Sequence, residues 1–249
     1  ANRLNWRAEL LLTRNRQLIE GKRVLDIASH DGRFSYASLR LGAAHVTGVE
    51  GRQSLVSASD ENLKNANVKG TFEFRAADIF DYLPTVDPGE FDTILCLGFF
   101  YHIVEHAALV EQLVRLRPAH IILDTNVAIH PAEKLDKLLL VRVLSLFKRF
   151  GYVHPLTQLL TKELLDGEYL LLKQGDPEND AFTIAGHGMR MVPTKRAVEF
   201  MFEKFGCEIS EINWHASHVD DWEALSDYKR HGRVSYIIIP PRDLGQHAS

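Results

Sequence analysis

The sequence predicts an α/β fold, a mostly parallel sheet with helices on both faces. Three observations predict it. Residues 23–50 read as strand, tight turn, helix and strand; apolar β runs recur at residues 71–76, 91–97 and 119–124 with helix-periodic stretches between them; and residues 207–214 and 234–239 read as a closing antiparallel pair joined by a polar loop. Strands that alternate with helices in this way build crossover units on a parallel sheet.

The elements follow in order. Residues 4–19 place Trp6, Leu10, Leu11 and Leu18 among Arg, Asn and Gln, which predicts one amphipathic helix stopped by Gly21. Packing over one edge of the sheet accounts for it. Residues 24–27 form a compact apolar strand, and residues 28–32 are small and polar, as a tight turn requires. Phe34, Ala37, Ser38 and Leu41 then fall at helical spacing before Gly42, and residues 46–49 return as a strand closing on Glu50.

That turn and that carboxylate carry the functional reading. A strand feeding a helix through small residues exposes backbone N–H groups and the positive end of a helix dipole, so a polar or anionic ligand can approach the main chain. An acidic residue closing the second strand is placed to accept hydrogen bonds from ribose hydroxyls. The unit therefore predicts a nucleoside ligand. Dinucleotide folds want Gly-x-Gly-x-x-Gly against a pyrophosphate, whereas Ala28, His30 and Gly32 stand here, so a pyrophosphate fits poorly.

At these residues the chain resembles the class I S-adenosylmethionine-dependent methyltransferases. Val24-Leu25-Asp26-Ile27-Ala28-Ser29-His30-Asp31-Gly32 is similar to their first motif, with Asp26 and Gly32 intact, and Val46-Thr47-Gly48-Val49-Glu50 to their ribose-binding motif. Ala77-Asp78-Ile79-Phe80 resembles the adenine-contacting motif, and residues 91–98 resemble the fourth strand, which ends at Leu97 beside the methyl donor. The resemblance runs from about residue 24 to 124 and resumes over 192–209. It implies a seven-stranded, mostly parallel Rossmann-like sheet, S-adenosyl-L-methionine as cofactor, and Asp26, Ala28, His30, Gly32, Glu50, Asp78, Ile79 and Leu97 as cofactor-site residues. Ala28 and His30 replace glycines common in the family, so the loop is less permissive than usual, because a side chain restricts φ. His30 and Asp31 are read as shaping the loop or flanking the ligand.

Composition sets outer bounds. The 249 residues suit a single domain with an elaborated insertion, and 45% apolar residues suffice for a sizeable core. A formal charge of −4 gives no global attraction to nucleic acid or anionic membrane, and Cys96 and Cys207 alone form no disulfide framework. With no secretory signal and no run of membrane-spanning length in sight, a cytoplasmic protein is expected.

Further along, residues 54–65 read as a helix, and Thr71–Ala76 alternates Phe72 and Phe74 against Glu73 and Arg75 as a strand. Asp78 is placed either to accept from an exocyclic amine or to cap the next turn. Phe80 and Tyr82 supply an aromatic wall. After the fourth strand, Gly98-Phe99-Phe100-Tyr101-His102 leaves toward the carboxyl edge of the sheet, and residues 105–117 form a sheet-packing helix. His102 is the catalytic candidate. An alcohol acceptor must shed its proton as it attacks a sulfonium methyl, and a neutral imidazole is suited to take it. In resembling small-molecule O-methyltransferases a His just past the fourth strand does this work; the competing reading makes His102 a pocket wall.

Asp124 and Asn126 leave the fifth strand on the ligand side. In metal-dependent relatives such a pair holds magnesium together with an Asp at the fourth strand's end, but here that end reads Leu97-Gly98, so a divalent metal is not predicted. Residues 127–191 are read as a mainly helical insertion, a substrate cap or an oligomer contact, with apolar segments at 133–150 and 159–172 and a solvated loop at 175–180. His187 and Arg190 are placed either at the acceptor site or on the loop surface. Thr194 caps a helix that stops at Gly206. His215, His218, Asp220 and Asp221 look metal-like yet read as a solvated loop, and the tail at 246–249 as frayed.

The leading expectation is methyl transfer to a hydroxyl of a small molecule or carbohydrate, with a homo-oligomer through the insertion and no membrane partner. The motifs also resemble enzymes that modify the wobble uridine of transfer RNA, for which Arg142, Lys148, Arg149, Arg190, Lys195 and Arg196 would supply a basic face; the net charge argues against it. A non-catalytic S-adenosylmethionine-binding protein is the third reading.

Overall fold

The computed structural model describes residues 2–128, 169–173 and 189–241. The segments at 133–150, 175–180 and 246–249, with Arg142, Lys148, Arg149 and His187, lie outside the described residues.

Strands β1 (Arg23–Ile27), β2 (His45–Glu50), β3 (Thr71–Ala76), β4 (Thr93–Leu97) and β5 (His120–Asn126) pair in parallel. β6 (Tyr169–Lys173) and β7 (Met189–Pro193) form a separate antiparallel ribbon, and β8 (Glu208–Glu211) and β9 (Arg233–Ile239) close the main sheet, with β9 antiparallel to both neighbours. The order is β3-β2-β1-β4-β5-β9-β8. The chain runs outward from β1 to β3 and then returns to β4 on the other side of β1. That reversal opens a crevice at the carboxyl ends of β1 and β4, where open α/β sheets bind ligands.

The inner strands are continuous apolar runs because both faces are covered. Leu25, Ile27, Ile94, Cys96, Ile121 and Leu123 point to one face, packed with Leu109, Leu113 and Phe202; Val24, Val46, Leu95 and Ile122 point to the other, packed with Leu10, Leu11, Phe34 and Trp214. The covering helices include α1 (Asn2–Leu11), α2 (Arg33–Arg40), α3 (Gln53–Lys64) and, after the short α4 (Ile79–Tyr82), α5 (His106–Arg115). Next comes α6 (Lys195–Lys204), where Thr194 Oγ1 accepts from the Ala197 N–H at 3.2 Å as the expected cap. Both cysteines are buried free thiols.

Two expectations change. The single leading helix is instead α1 followed by a 3₁₀ segment, Thr13–Leu18. Asn15 Nδ2 donates to the carbonyls of Leu10 and Leu11 at 2.9 and 3.1 Å, taking acceptors that a continuing α-helix would use. To the insertion, expected as mainly helical, the described residues add the β6–β7 ribbon, which takes in part of the apolar segment at 159–172; the helix-periodic run at 133–150 lies outside the described residues. β7 is tied to the main body, its Met191 N–H donating to the Ile103 carbonyl at 3.0 Å.

The polar loop before β9 is held by ring contacts and a helix tether. His215 stacks on Trp222 and against His231, with centroids 4.9 and 4.6 Å apart, and Asp221 accepts from Asn2 Nδ2 at 2.7 Å. Among the described residues no group of three or more His, Cys, Asp or Glu side chains is arranged to hold a metal ion.

Candidate active site

The β1–α2 turn is built on alternate left-handed residues, Ala28 (φ 53°), His30 (φ 54°) and Gly32 (φ 77°). A non-glycine residue there costs about 1 kcal/mol, so two of them store strain that the surroundings must offset. They do so through hydrogen bonds. The Ser29 N–H donates to the Val49 carbonyl at 3.0 Å, the His30 N–H to Glu50 Oε2 at 3.0 Å, and Ser59 Oγ to the His30 carbonyl at 3.0 Å. Expected as a cofactor-site residue, Gly32 does not line the crevice. A Cβ there would meet Phe74, Ser59 and Leu63 at 3.1–3.2 Å, so Gly32 faces α3 and β3 and serves the turn's shape.

Glu50 is buried at the end of β2. Among the described residues, Oε1 accepts from Arg52 N and Nε at 3.2 and 2.8 Å and Oε2 from His30 N at 3.0 Å, which leaves Oε2 a lone pair for a ligand hydroxyl. Asp26 is buried beside it, with Oδ2 accepting from Ser35 Oγ at 2.6 Å. Burial dominates that single strong bond and pushes the Asp26 carboxyl up to about 7.

Two adjoining cavities occupy the crevice and share Ala28, Phe99 and His102. One, about 510 Å³, is an apolar slot between Val49, Ala77, Ile79, Phe80 and Ile103, with Asp78 at its rim. Both readings of Asp78 are compatible: Oδ1 accepts from the Phe80 N–H at 2.8 Å and caps α4, while the exposed carboxylate keeps its other oxygen for a ligand amine. The second cavity, about 460 Å³, is polar and brings together Asp26, Ser29, His30, Glu50 and Leu97 with six arginines. Arg7 Nε is buried there without a hydrogen-bond partner among the described residues, whereas Ser29 Oγ turns toward Gly48 of β2, 2.9 Å from where a Cβ would stand.

Asp124, weighed at the sequence level as half of a metal pair, does other work. It is fully buried, and its oxygens accept from Arg7 Nη2 at 2.6 Å, Arg233 Nε at 2.9 Å, Ser235 Oγ at 2.7 Å and Tyr228 Oη at 2.9 Å. Despite burial, the charge of Arg233 and Arg7 draws its carboxyl down to about 2. Asn126 Oδ1 accepts from Arg233 Nη1 at 2.8 Å. The pair thus fixes guanidiniums where a magnesium site would need free oxygens. Gly98 (φ 99°) makes room for them, since a Cβ would lie 3.2 Å from Arg233 Nη2 and 3.5 Å from Arg7 Nη2.

His102 sits on the wall common to both cavities, its ring 4.2 Å from that of Tyr101. Burial, reinforced by Arg190, Arg233 and Arg52, lowers its pKa to about 4, so the imidazole is neutral at pH 7. Arg190 lines the polar cavity. Arg7, Arg233, Tyr101 and Gly98 were not singled out from sequence. Faint signals existed: Arg3 and Arg7 lie one turn apart on the leading helix, and Arg233 and Ser235 are a period-two polar pair opening an otherwise apolar strand.

A seven-stranded sheet of this order, an acid closing β2 and a crevice at the switch point define a class I S-adenosylmethionine-dependent methyltransferase fold. A methyltransferase domain family matches residues 18–148, more than half of the chain, and the chain belongs to it. It is similar to a ubiquinone biosynthesis O-methyltransferase of Psychrobacter arcticus, 28% identical over 98 residues (39% of this chain, 37% of the relative). It is also similar to a tRNA U34 carboxymethyltransferase of Nautilia profundicola, 29% identical over 109 residues (43% and 35%). The chain thus spans little more than a third of the length of these relatives. The N-terminal domain of EvdMO1 with SAH bound superposes with TM-score 0.59 at 18% identity, covering 95% of this chain and 79% of that one. An S-adenosylmethionine dependent methyltransferase from Mesorhizobium loti gives 0.57 at 11%, covering 95% and 99%. Among the described residues no helix is long and apolar enough to cross a membrane.

Proposed function

We propose that this protein transfers a methyl group from S-adenosyl-L-methionine to a hydroxyl of a small molecule or carbohydrate. The observation that carries the reading is His102, a neutral imidazole on the wall between an apolar slot and a polar basin. When bound, the cofactor supplies an electrophilic methyl on a sulfonium. The slot between Ile79, Phe80 and Val49 suits a purine, with Asp78 accepting from its amine; Glu50 Oε2 is free for a ribose hydroxyl; Asp26 and Arg7 suit the charged amino-acid end. His102 accepts the acceptor's proton as its oxygen attacks.

Of the described part of the basic face, Arg190 lies in the polar cavity, and the other two members are already paired with carboxylates. Lys195 pairs with Glu211, and Arg196 donates to Glu203 at 2.8 Å, so neither presents a spare charge to phosphate. The expectations of an acceptor cap or oligomer contact at 127–191 and of a cytoplasmic location are kept as part of this proposal.

The test is calorimetric titration with S-adenosylhomocysteine, followed by methyl transfer from labelled cofactor to phenolic and sugar acceptors. Absence of binding at millimolar ligand overturns the reading. His102→Gln should keep cofactor affinity and lower kcat by about 10²–10⁴-fold. Because burial beside Arg190, Arg233 and Arg52 draws the His102 imidazole down to about 4, the acid limb of kcat/KM should lie well below the 6.5 of an ordinary histidine. An unchanged kcat in the variant reduces His102 to a pocket wall.

A further inference from the structure

The polar cavity carries more positive charge than a methyl donor needs. Its six arginines are Arg3, Arg7, Arg33, Arg52, Arg190 and Arg233. Three have carboxylates of their own: Arg3 is bidentate on Asp227 at 2.7 and 2.6 Å, Arg33 holds Asp31, and Arg52 holds Glu50. Arg7 and Arg233 share the single carboxylate of Asp124. Arg190 has no carboxylate partner among the described residues, and its Nε is buried without a hydrogen bond. Among the described residues these six guanidiniums pair with four carboxylates, those of Asp227, Asp31, Glu50 and Asp124. The other acid on the wall, Asp26, accepts from Ser35 Oγ and pairs with no guanidinium among the described residues. The amino-acid end of the donor is a zwitterion and brings no net charge. Arg190 is half-buried, and a guanidinium partly withdrawn from water without a carboxylate beside it is stabilised when an anion joins it.

The surplus is also localised. Arg233 is buried, is fixed by Asp124 and Asn126, and carries its guanidinium over the ring of Tyr101 at 5.4 Å. Arg190 projects from β7, which the Met191–Ile103 bond anchors next to His102. Both belong to the same cavity as His102, on the side away from the slot assigned to the purine.

Resting on the methyltransferase reading above, we infer that the acceptor is an anion, a small molecule whose carboxylate or phosphate docks between Arg190 and Arg233 while its hydroxyl faces His102. Guanidiniums pair bidentately with either oxyanion. At about 460 Å³ the basin is sized for a small molecule, whereas the phosphates of a polynucleotide need an extended basic track.

The test uses the intact protein saturated with S-adenosylhomocysteine, titrated with benzoate, phenyl phosphate and benzyl alcohol. At least one anion should bind about tenfold or more tightly than benzyl alcohol, with an affinity that falls as KCl is added. Which of the two anions binds better separates carboxylate from phosphate. Arg190→Gln should abolish the preference without altering thermal unfolding; Arg190→Lys should restore part of it. Equal affinity for the three probes, binding of none, or an unchanged preference in Arg190→Gln overturns the inference while leaving the methyltransferase reading intact. Loss of homocysteine-ligand binding in the first titration overturns that reading instead. A salt-sensitive gel shift with bulk transfer RNA, lost in Arg190→Gln and unaccompanied by any small-anion preference, transfers the basin to RNA and also overturns the inference.

Discussion

Two buried aspartates at the carboxyl edge of the sheet titrate in opposite directions, and their partners explain why. Asp26 has one hydroxyl donor and no cation bonded to it, so desolvation prevails. Asp124 has two guanidiniums and two hydroxyls, so attraction prevails. Asp124 is accordingly a positioning residue for Arg7 and Arg233. Asp124→Ala should lower the unfolding free energy by about 3–5 kcal/mol, since removing one member of a buried charge cluster strands the others. Urea unfolding at neutral pH checks it. A loss below about 1 kcal/mol would mean that water satisfies the guanidiniums as well as Asp124 does.

Elements differ in how much of their role was legible. The turn after β1 could be read from small residues between an apolar strand and a helix-periodic run, and Glu50 from its place at the end of β2. That Gly32 faces away from the crevice could not, because the direction of a Cα depends on α3 and β3, distant in sequence. Asp78 showed both its roles, since an N-cap and a pocket rim demand the same side chain. The arginine basin stayed hidden for a different reason: its members come from α1, the starts of α2 and α3, β7 and β9, and only the β5–β9 pairing brings Arg233 opposite Asn126 and next to Asp124. The leading helix was read too long because Asn15 is a polar residue in a polar stretch until its amide is seen on two carbonyls. Gly98 links these elements. Gly98→Ala should cost about 1–2 kcal/mol of stability, from a left-handed φ joined to contacts with two guanidiniums, and should weaken benzoate or phenyl phosphate binding. Denaturant midpoints and the same titrations read both effects; a neutral substitution would show that the guanidiniums are free to move.

For the whole molecule, stability against pH is set by groups buried in their less usual state. His106, whose ring nitrogen Nε2 contacts the Phe100 carbonyl at 2.8 Å, is lowered to about 4 by burial, as is His102. A histidine depressed in the folded state stabilises fully above its unfolded pKa of about 6.5 and loses that contribution as pH falls toward 4, on the order of 3 kcal/mol each. Asp26 works the other way. Raised from 3.8 to about 7, it costs stability above pH 7 and returns it as the pH falls through that window, on the order of 4 kcal/mol. The two trends oppose each other between pH 7 and 4.5. Asp26→Asn removes the compensating group while its amide oxygen can still accept from Ser35. That variant should be more stable than wild type at pH 8, match it near pH 4, and fall more steeply between. Urea titrations of both proteins across this range measure the slopes directly. Parallel curves would show that Asp26 is ionised in the folded state throughout, with a cation or ordered water at its side.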